Sequence, residues 1–274
     1  MSPHTRSLAR PLGALLACAP FALVPLFLVV GSLRRPGLPP SDGFDWLPGT
    51  PYWSNFGLVE HFAPAWARAT VNSLVVVAVA VPVTVVVASW AAVAITLADA
   101  TRRRLLVAVT VVGLTVPATA LWVPRFVLFR VLGLIDSPLA LMAPALMATT
   151  PFYVLLLAVA YRRVPKSLFE AAVLEGLSPL QVWRRVALPL ARPATVAVAM
   201  LAFAFHWSNF VDPLLYLNSD GKATLPLALS QLRAVEPAMY PVVMAGAVVL
   251  AVPPVLAFAL SQRALFAATA KDLG

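Results

Sequence analysis

The chain has 274 residues, of which 61% are hydrophobic and only 11% are Asp, Glu, Lys or Arg, against about a quarter charged in an average globular chain. Six stretches without any of these four residues, 11–33, 69–98, 105–124, 137–161, 193–211 and 237–262, hold 143 of the residues. Each is long enough to cross a hydrocarbon core of about 30 Å as a helix rising about 1.5 Å per residue. A soluble globule needs a mostly charged surface, which this composition cannot supply.

The expected fold is therefore all-α, a polytopic membrane protein with six transmembrane helices in one domain, 1–274. The spans are placed at about 11–31, 69–98, 105–130, 138–160, 193–215 and 239–261. With the N-terminus inside, segments 1–11, 98–104, 161–192 and 262–274 carry 13 basic and 4 acidic residues, and the remainder carries 7 of each. The whole net charge of +9 then lies on one side, as the positive-inside rule requires. The basic balance reads as topology and gives no ground for a nucleic-acid partner. Both termini are expected in the cytoplasm and the chain in the plasma (inner) membrane, surrounded by lipid.

The first span follows Arg6 and Arg10 and holds Cys18, the only cysteine. Its apolar run is longer than the core of a usual signal peptide and has no clear small-x-small cleavage site before Arg34, so it is read as a retained helix. The connection 32–68 is rich in proline and holds Trp46, Tyr52, Trp53 and Trp66. Trp66 fits an interfacial belt, whereas Trp46, Tyr52 and Trp53 fit either a belt or a contact surface for an external partner. Prolines at 20, 25, 82, 117, 144, 151, 253 and 254 interrupt the spans, which a bundle tolerates because neighbours re-satisfy the freed carbonyls.

The segment 161–192, YRRVPKSLFEAAVLEGLSPLQVWRRVALPLAR, is too patterned for a passive connector. Pro165 suits a first helical turn, 166–175 contains good or neutral helix formers, and Gly176 can end the helix in a left-handed conformation. Ser178, Pro179 and Gln181 form a capping-box pattern for a second helix over about 179–186, stopped by Pro189. Leu180 and Trp183 are expected on one face with Arg184 and Arg185 beside them, an apolar knob rimmed by positive charge. Such a knob suits docking into a groove of a partner; on pattern alone, a surface-lying loop without a partner is an equal reading.

Glu170-Ala171-Ala172, three residues, Gly176, nine residues and Val186-x-Leu188-Pro189 resemble the EAA motif of the membrane subunits of binding-protein-dependent ABC importers, with Val where that family usually has Ile. Further stretches resemble the carbohydrate branch and its smaller, six-span subunit of the maltose-permease G type. These are Thr70-Val71-Asn72-Ser73-Leu74, Leu132 to Ser137, Trp207-Ser208-Asn209-Phe210-Val211-Asp212-Pro213-Leu214, Thr224-Leu225-Pro226-Leu227 and Gln262-Arg263. The tail 266–274 departs from the family's Gly-rich ending, which puts any contact of the tail with an ATPase in doubt.

The resemblance implies a type I ABC importer permease fold and import of a sugar or related polar solute. It implies four kinds of partner: a second homologous permease, two cytoplasmic ABC ATPase subunits, an extracytoplasmic solute-binding protein and membrane lipid. It further implies that Glu170, Ala171, Ala172, Gly176, Leu180, Trp183 and Pro189 couple the permease to the ATPase, with Glu170 near Arg184 or Arg185. No phosphate-cradling GxxxxGK[ST] loop exists in the sequence, so this chain is expected to be no enzyme. ATP and Mg would be held by the partner ATPases, and this chain would bind no cofactor.

His4, His61 and His206 have no metal-ligand spacing, so no metal site is expected. Arg125 and Arg130 fit side chains snorkelling to headgroups. Asn209 and Asp212, three apart on one helical face, could line the solute path or hydrogen-bond a neighbouring helix. Permeases of other ABC importer classes (peptide, phosphate, amino acid or glycerol-phosphate), an ion-coupled carrier and a purely structural subunit are the rival readings. The Trp207–Leu214 stretch and Gln262-Arg263 favour sugars. The EAA pattern and the scarcity of carboxylates in the spans argue against the carrier.

The charge split makes one direct prediction. Cysteines placed at Ser167 and at Ser41 in a Cys18-free background should be labelled by an impermeant maleimide from opposite sides of the membrane. Labelling from the same side would overturn the topology.

Overall fold

A computed structural model describes residues 3–37, 49–63, 65–232 and 237–269. Every regular element among them is helical. The elements are α1 (Pro3–Ser32), α2 (Asn55–Phe62), α3 (Trp66–Leu97), α4 (Ala100–Thr115), α5 (Trp122–Val131), α6 (Pro138–Met142) and α7 (Pro151–Tyr161), followed by α8 (Lys166–Leu174). After them come α9 (Pro179–Leu190), α10 (Arg192–Ser208), α11 (Val211–Tyr216), α12 (Leu225–Leu232) and α13 (Tyr240–Thr269). Trp46 and the tail 270–274 lie outside the described residues.

Three segments are long and apolar enough to cross a membrane unaided: Trp66–Leu97, Pro138–Tyr161 and Tyr240–Arg263. Two helix pairs pass the same test only when taken together, each bent at a short break: Ala100–Thr115 with Ala118–Val131 at 88°, and Pro179–Leu190 with Arg192–Ser208 at 89°. The sequence predicts one unbroken span over 105–130, and a loop helix over about 179–186 separate from the span at 193–215; the break within the first is local chemistry. Pro117 lacks an N–H and pushes the residue before it out of the helical region. Val116 accordingly takes φ −76° and ψ 114°, which ends α4. The expected fifth span also breaks near its far end, where Asn209 is extended at φ −67° and ψ 115° between α10 and α11.

The chain divides into two compact units, residues 1–67 with 228–252 and residues 68–227 with 253–274. In the first, Asn55 is fully buried and donates from Nδ2 to the carbonyls of Ser32 (2.8 Å) and Arg34 (2.7 Å), satisfying orphan acceptors just past α1. Trp66 is 6% exposed and lies against Gly246, where an added Cβ would come within 3.1 Å of the indole. The interfacial-belt expectation for Trp66 is thus corrected: the ring fills a close helix approach. Trp53 is exposed and stacks on Phe56, while Tyr52 is half-buried.

In the second unit, polar side chains organise the end of α3 that begins the helix. Asn72 donates to the carbonyls of Gly221 (3.0 Å) and Ala223 (2.9 Å), and Ser73 Oγ accepts from the Leu225 N–H (2.8 Å). Asp136, held at φ 58°, accepts from the Asn218 and Ser219 amides (both 3.0 Å), the Ser219 hydroxyl (2.6 Å) and the Lys222 ammonium (2.8 Å). The Thr70–Leu74, Leu132–Ser137 and Thr224–Leu227 motifs thereby converge on the segment 216–225.

The Lys222 ammonium, the Ser219 hydroxyl and the two amides hold the Asp136 carboxyl well below the usual carboxylate range. A lowered native pKa means that the contact's contribution to stability is fully present above the ordinary carboxylate pKa of about 3.9 and diminishes progressively as the pH falls from there toward the lower native value. Protection of the Asn218 and Ser219 amides from hydrogen exchange, corrected for intrinsic rates, should therefore decline on acidification below about pH 4. In Asp136→Asn that protection should be weak already at neutral pH. Equal protection in the variant would show that the carboxylate does not hold the turn.

Candidate functional site

The segment 161–192 folds onto the opposite end of α3. Helix α8 closes with two bonds, Leu177 N–H to Ala172 O (3.1 Å) and Gly176 N–H to Val173 O (2.9 Å), a Schellman pattern. That pattern places Gly176 at φ +77° with open space where a Cβ would stand. Only backbone strain, not crowding, reserves the position for glycine. Ser178 then opens α9 with a reciprocal capping box, the Ser178 N–H donating to Gln181 Oε1 (2.9 Å) and the Gln181 N–H to Ser178 Oγ (3.4 Å).

Helix α9 does not end at 186. It runs to Leu190 and includes Pro189, because its middle, Trp183–Ala187, is a π turn. A regular helix would press the Pro189 ring against the Arg185 carbonyl four residues back; the widened turn relieves that contact. The helix stops at Ala191, at φ −104° and ψ 24°, and Pro193 in the first turn of α10 restarts it.

The inner face of this loop is continuous with the core of the unit. Phe169, Ala172, Val182, Ala187 and Ala191 are buried in one cluster with Ala88, Ala92 and Ile95 of α3 and with Leu157 and Tyr161 of α7. Trp183 belongs to this inner face. Its indole N–H donates to Ser89 Oγ at 2.6 Å, its ring meets Trp90 edge-on at 5.7 Å between centroids, and Ser89 is also hydrogen-bonded to the Tyr161 hydroxyl. The expectation of Trp183 as part of an exposed knob is corrected accordingly. An apolar hollow of about 520 Å³ lies between α3 and α9, bordered by Trp90, Leu97, Leu180 and Trp183.

The exposed tip is formed by other residues. Leu174 is 88% exposed, Val173 59% and Leu180 55%, while Ala171, Arg184 and Arg185 are also exposed. Val173 and Leu174 were not singled out from the sequence. The signal that could have found them is the period of α8: with Phe169 and Ala172 facing inward, the residues beside them face out. Glu170 is exposed and borders a hollow of about 360 Å³ with Arg103, Arg162 and Lys166. These cations differ from the expected Arg184 and Arg185, and the exchange reflects the chain's return across the end of α4. Arg103 could not be brought beside Glu170 by spacing alone.

Asn209 and Asp212 are brought together, but not on a helical face. Asn209 Nδ2 donates to Asp212 Oδ2 (2.7 Å), and the Asp212 N–H donates to Asn209 Oδ1 (3.2 Å). The two residues bond one another at the start of α11, and Asp212 is buried. Three residues earlier, His206 Nε2 lies 3.1 Å from Thr149 Oγ1, which is 2.6 Å from Thr84 Oγ1. Thr149 and Ala148 both have positive φ, 60° and 57°, and the buried hydroxyl and imidazole hold this left-handed step between α6 and α7. Among the described residues, no group of three His, Cys, Asp or Glu could hold a metal ion.

The comparisons agree with this geometry. A family model described as the binding-protein-dependent transport system inner membrane component matches residues 65–270. The chain is 26% identical over 249 residues to the trehalose transport system permease protein SugB of Mycobacterium tuberculosis, covering 90% of each chain. It is 29% identical over 192 residues, 70% of each chain, to the lactose transport system permease protein LacG of Rhizobium radiobacter. In fold it is similar to a chain in the crystal structure of a bacterial ABC transporter involved in the import of the acidic polysaccharide alginate. That match has a TM-score of 0.76 and 20% identity, and it covers 96% of this chain and 98% of the other. With its bent helix pairs, its helical loop folded onto α3 and a family match over three quarters of its length, the chain belongs to the binding-protein-dependent transport system inner membrane components, the multi-pass permease subunits of ABC importers.

Proposed function

We propose that this permease imports a sugar or related polar solute, delivered by an extracytoplasmic binding protein, together with a second homologous permease and two cytoplasmic ABC ATPases that hold ATP and Mg. The observation that carries the ATPase-coupling part is the two-faced loop 161–192. Its inner face is buried with α3 and α7, whereas Val173, Leu174 and Leu180 stand exposed beside Arg184 and Arg185. An apolar tip with a positive rim suits a groove, and a base packed into the spans lets movement of that groove reach them. Glu170 and Ala171 flank the tip, Ala172 and Gly176 set the turn, and Pro189 shapes the helix that returns to α10. On this reading both termini and the loop face the cytoplasm of a cell bounded by the inner membrane.

The sugar assignment draws on the relatives. Besides those for trehalose and lactose, they include permeases named for diacetylchitobiose and arabinooligosaccharide uptake. Asn209 and Asp212 satisfy one another. Their first role on this reading is to shape the break that borders the solute path, without requiring direct solute contact.

Two substitutions test the docking reading in the co-expressed complex with the second permease and the ATPase. Leu174→Glu and Leu180→Glu place a charge where an apolar side chain should bury; fully burying a Leu side chain contributes about 1.5–3 kcal/mol. Less ATPase subunit should co-purify, while membrane insertion is retained. Undiminished ATPase recovery with both variants would overturn the docking assignment.

Gly176→Val should cost about 1–3 kcal/mol in the turn through its positive φ. Gly176→Asn should cost less, because Asn visits the left-handed region more readily. Hydrogen exchange of the 179–190 amides measures both. Equal effects would mean that φ is not the constraint.

A further inference from the structure

We infer that Ser89, Tyr161 and Trp183 form a buried hydrogen-bond strut that carries movement of α9 into α3 and α7, and that its buried hydroxyls are positioning residues for transport. The inference rests on the proposed ATPase coupling and names the parts within this chain that would deliver it.

The strut begins at a group whose role is fixed, because an indole N–H only donates. Trp183 Nε1 gives its hydrogen to Ser89 Oγ at 2.6 Å. Ser89 is in turn hydrogen-bonded to the Tyr161 hydroxyl. Ser89 thus stands in the centre, accepting from α9 on one side and bonded to α7 on the other.

Three helices meet in this strut: α9 through Trp183, α3 through Ser89 and α7 through Tyr161. Ser89 and Tyr161 are fully buried, so water cannot replace a lost partner without repacking, and linked hydrogen bonds polarise one another. Trp183 itself begins the π turn, where helices tolerate a change of hydrogen-bond register. A push on α9 therefore reaches α3 and α7 by two routes, through the apolar packing and through the hydroxyls.

Packing alone would make a different prediction from a hydrogen-bonded strut. Tyr161→Phe removes one oxygen and keeps the ring, Trp183→Phe removes the donor and keeps an aromatic against Trp90, and Ser89→Ala removes the central link. In the full transporter, reconstituted in proteoliposomes with its ATPase and binding protein, solute transported per ATP hydrolysed should fall roughly three- to tenfold in each, the factor that one net hydrogen bond represents. ATPase co-purification should stay at the unmodified level. The double variant Ser89→Ala with Tyr161→Phe should be no worse than Ser89→Ala alone, since one break already opens the strut. Ser89→Thr, which keeps the hydroxyl, should retain more coupling than Ser89→Ala.

Unchanged transport per ATP in Ser89→Ala and Tyr161→Phe, or strictly multiplicative losses in the double variant, would overturn the strut. Loss of ATPase recovery in these variants would also overturn it, because the residues would then serve docking. Failure of the coupling reading itself looks different: the unmodified chain would recover no ATPase at all, whatever residue stands at 89. Hydrogen exchange of the 179–190 amides in the isolated permease provides a readout independent of any partner. Faster exchange in Ser89→Ala than in Ser89→Thr is expected there, and no difference would refute the tie between α9 and α3.

Discussion

In hydrocarbon a backbone N–H or C=O without a partner costs several kcal/mol, so irregular backbone survives at membrane depth only where something inside the protein answers it. This chain leaves the helical path repeatedly, and the second unit shows how the vacated groups are served. Asn72 takes the carbonyls of Gly221 and Ala223, Asn209 takes the Asp212 amide, and Asp136 takes the amides of 218 and 219. The left-handed step at Ala148 and Thr149 is braced by Thr84 and His206. Asn72, Thr84, His206 and Asn209, all within expected spans, are spent in this way, and Asp136 does the same for the exposed turn between two of those spans.

That spending explains why the sequence motifs lie where they do. The Thr70–Leu74, Leu132–Ser137 and Thr224–Leu227 stretches are far apart along the chain but meet around 216–225, each supplying a hydrogen bond or the loop that receives it. The Trp207–Leu214 stretch makes the break between α10 and α11. Resemblance at these places therefore reports a shared way of bending helices, and it says little by itself about which solute passes between them. The solute class enters instead through the named relatives.

Much of the fold was legible because its signals are local. Long charge-free runs mark the apolar helices Trp66–Leu97, Pro138–Tyr161 and Tyr240–Arg263, while Gly176 marks a helix end and Ser178 with Gln181 the next start through residues within a turn of one another. The 88° bend at Pro117 was visible as a proline, but its size was not, because a bend is set by what packs against both arms. Trp66 and Trp183 were misjudged for a related reason. An aromatic beside a charge looks interfacial in one dimension, and only the approach of Gly246 to one ring, and of Ser89 and Trp90 to the other, shows that both are used for packing. Of the cations that share a hollow with Glu170, Arg103 comes from another segment, so spacing could not have brought the two together.

The division of labour in 161–192 follows from the same constraint. A surface loop that only docked could be polar inside and apolar at its tip, with little penalty for moving independently of the spans. Here the inner side is apolar and shares one core with α3 and α7, and its single indole N–H is spent on a hydroxyl inside that core. Sliding α9 away from α3 would strand that donor and expose Phe169 and Val182 together. The low-cost motion is one in which α9, α3 and the end of α7 move as a body, with the change in direction taken up at Ala191, where α9 gives way to α10. A loop built this way is stiff toward the membrane and soft only at its bend, which is what conversion of a push at the tip into a tilt of α10 requires.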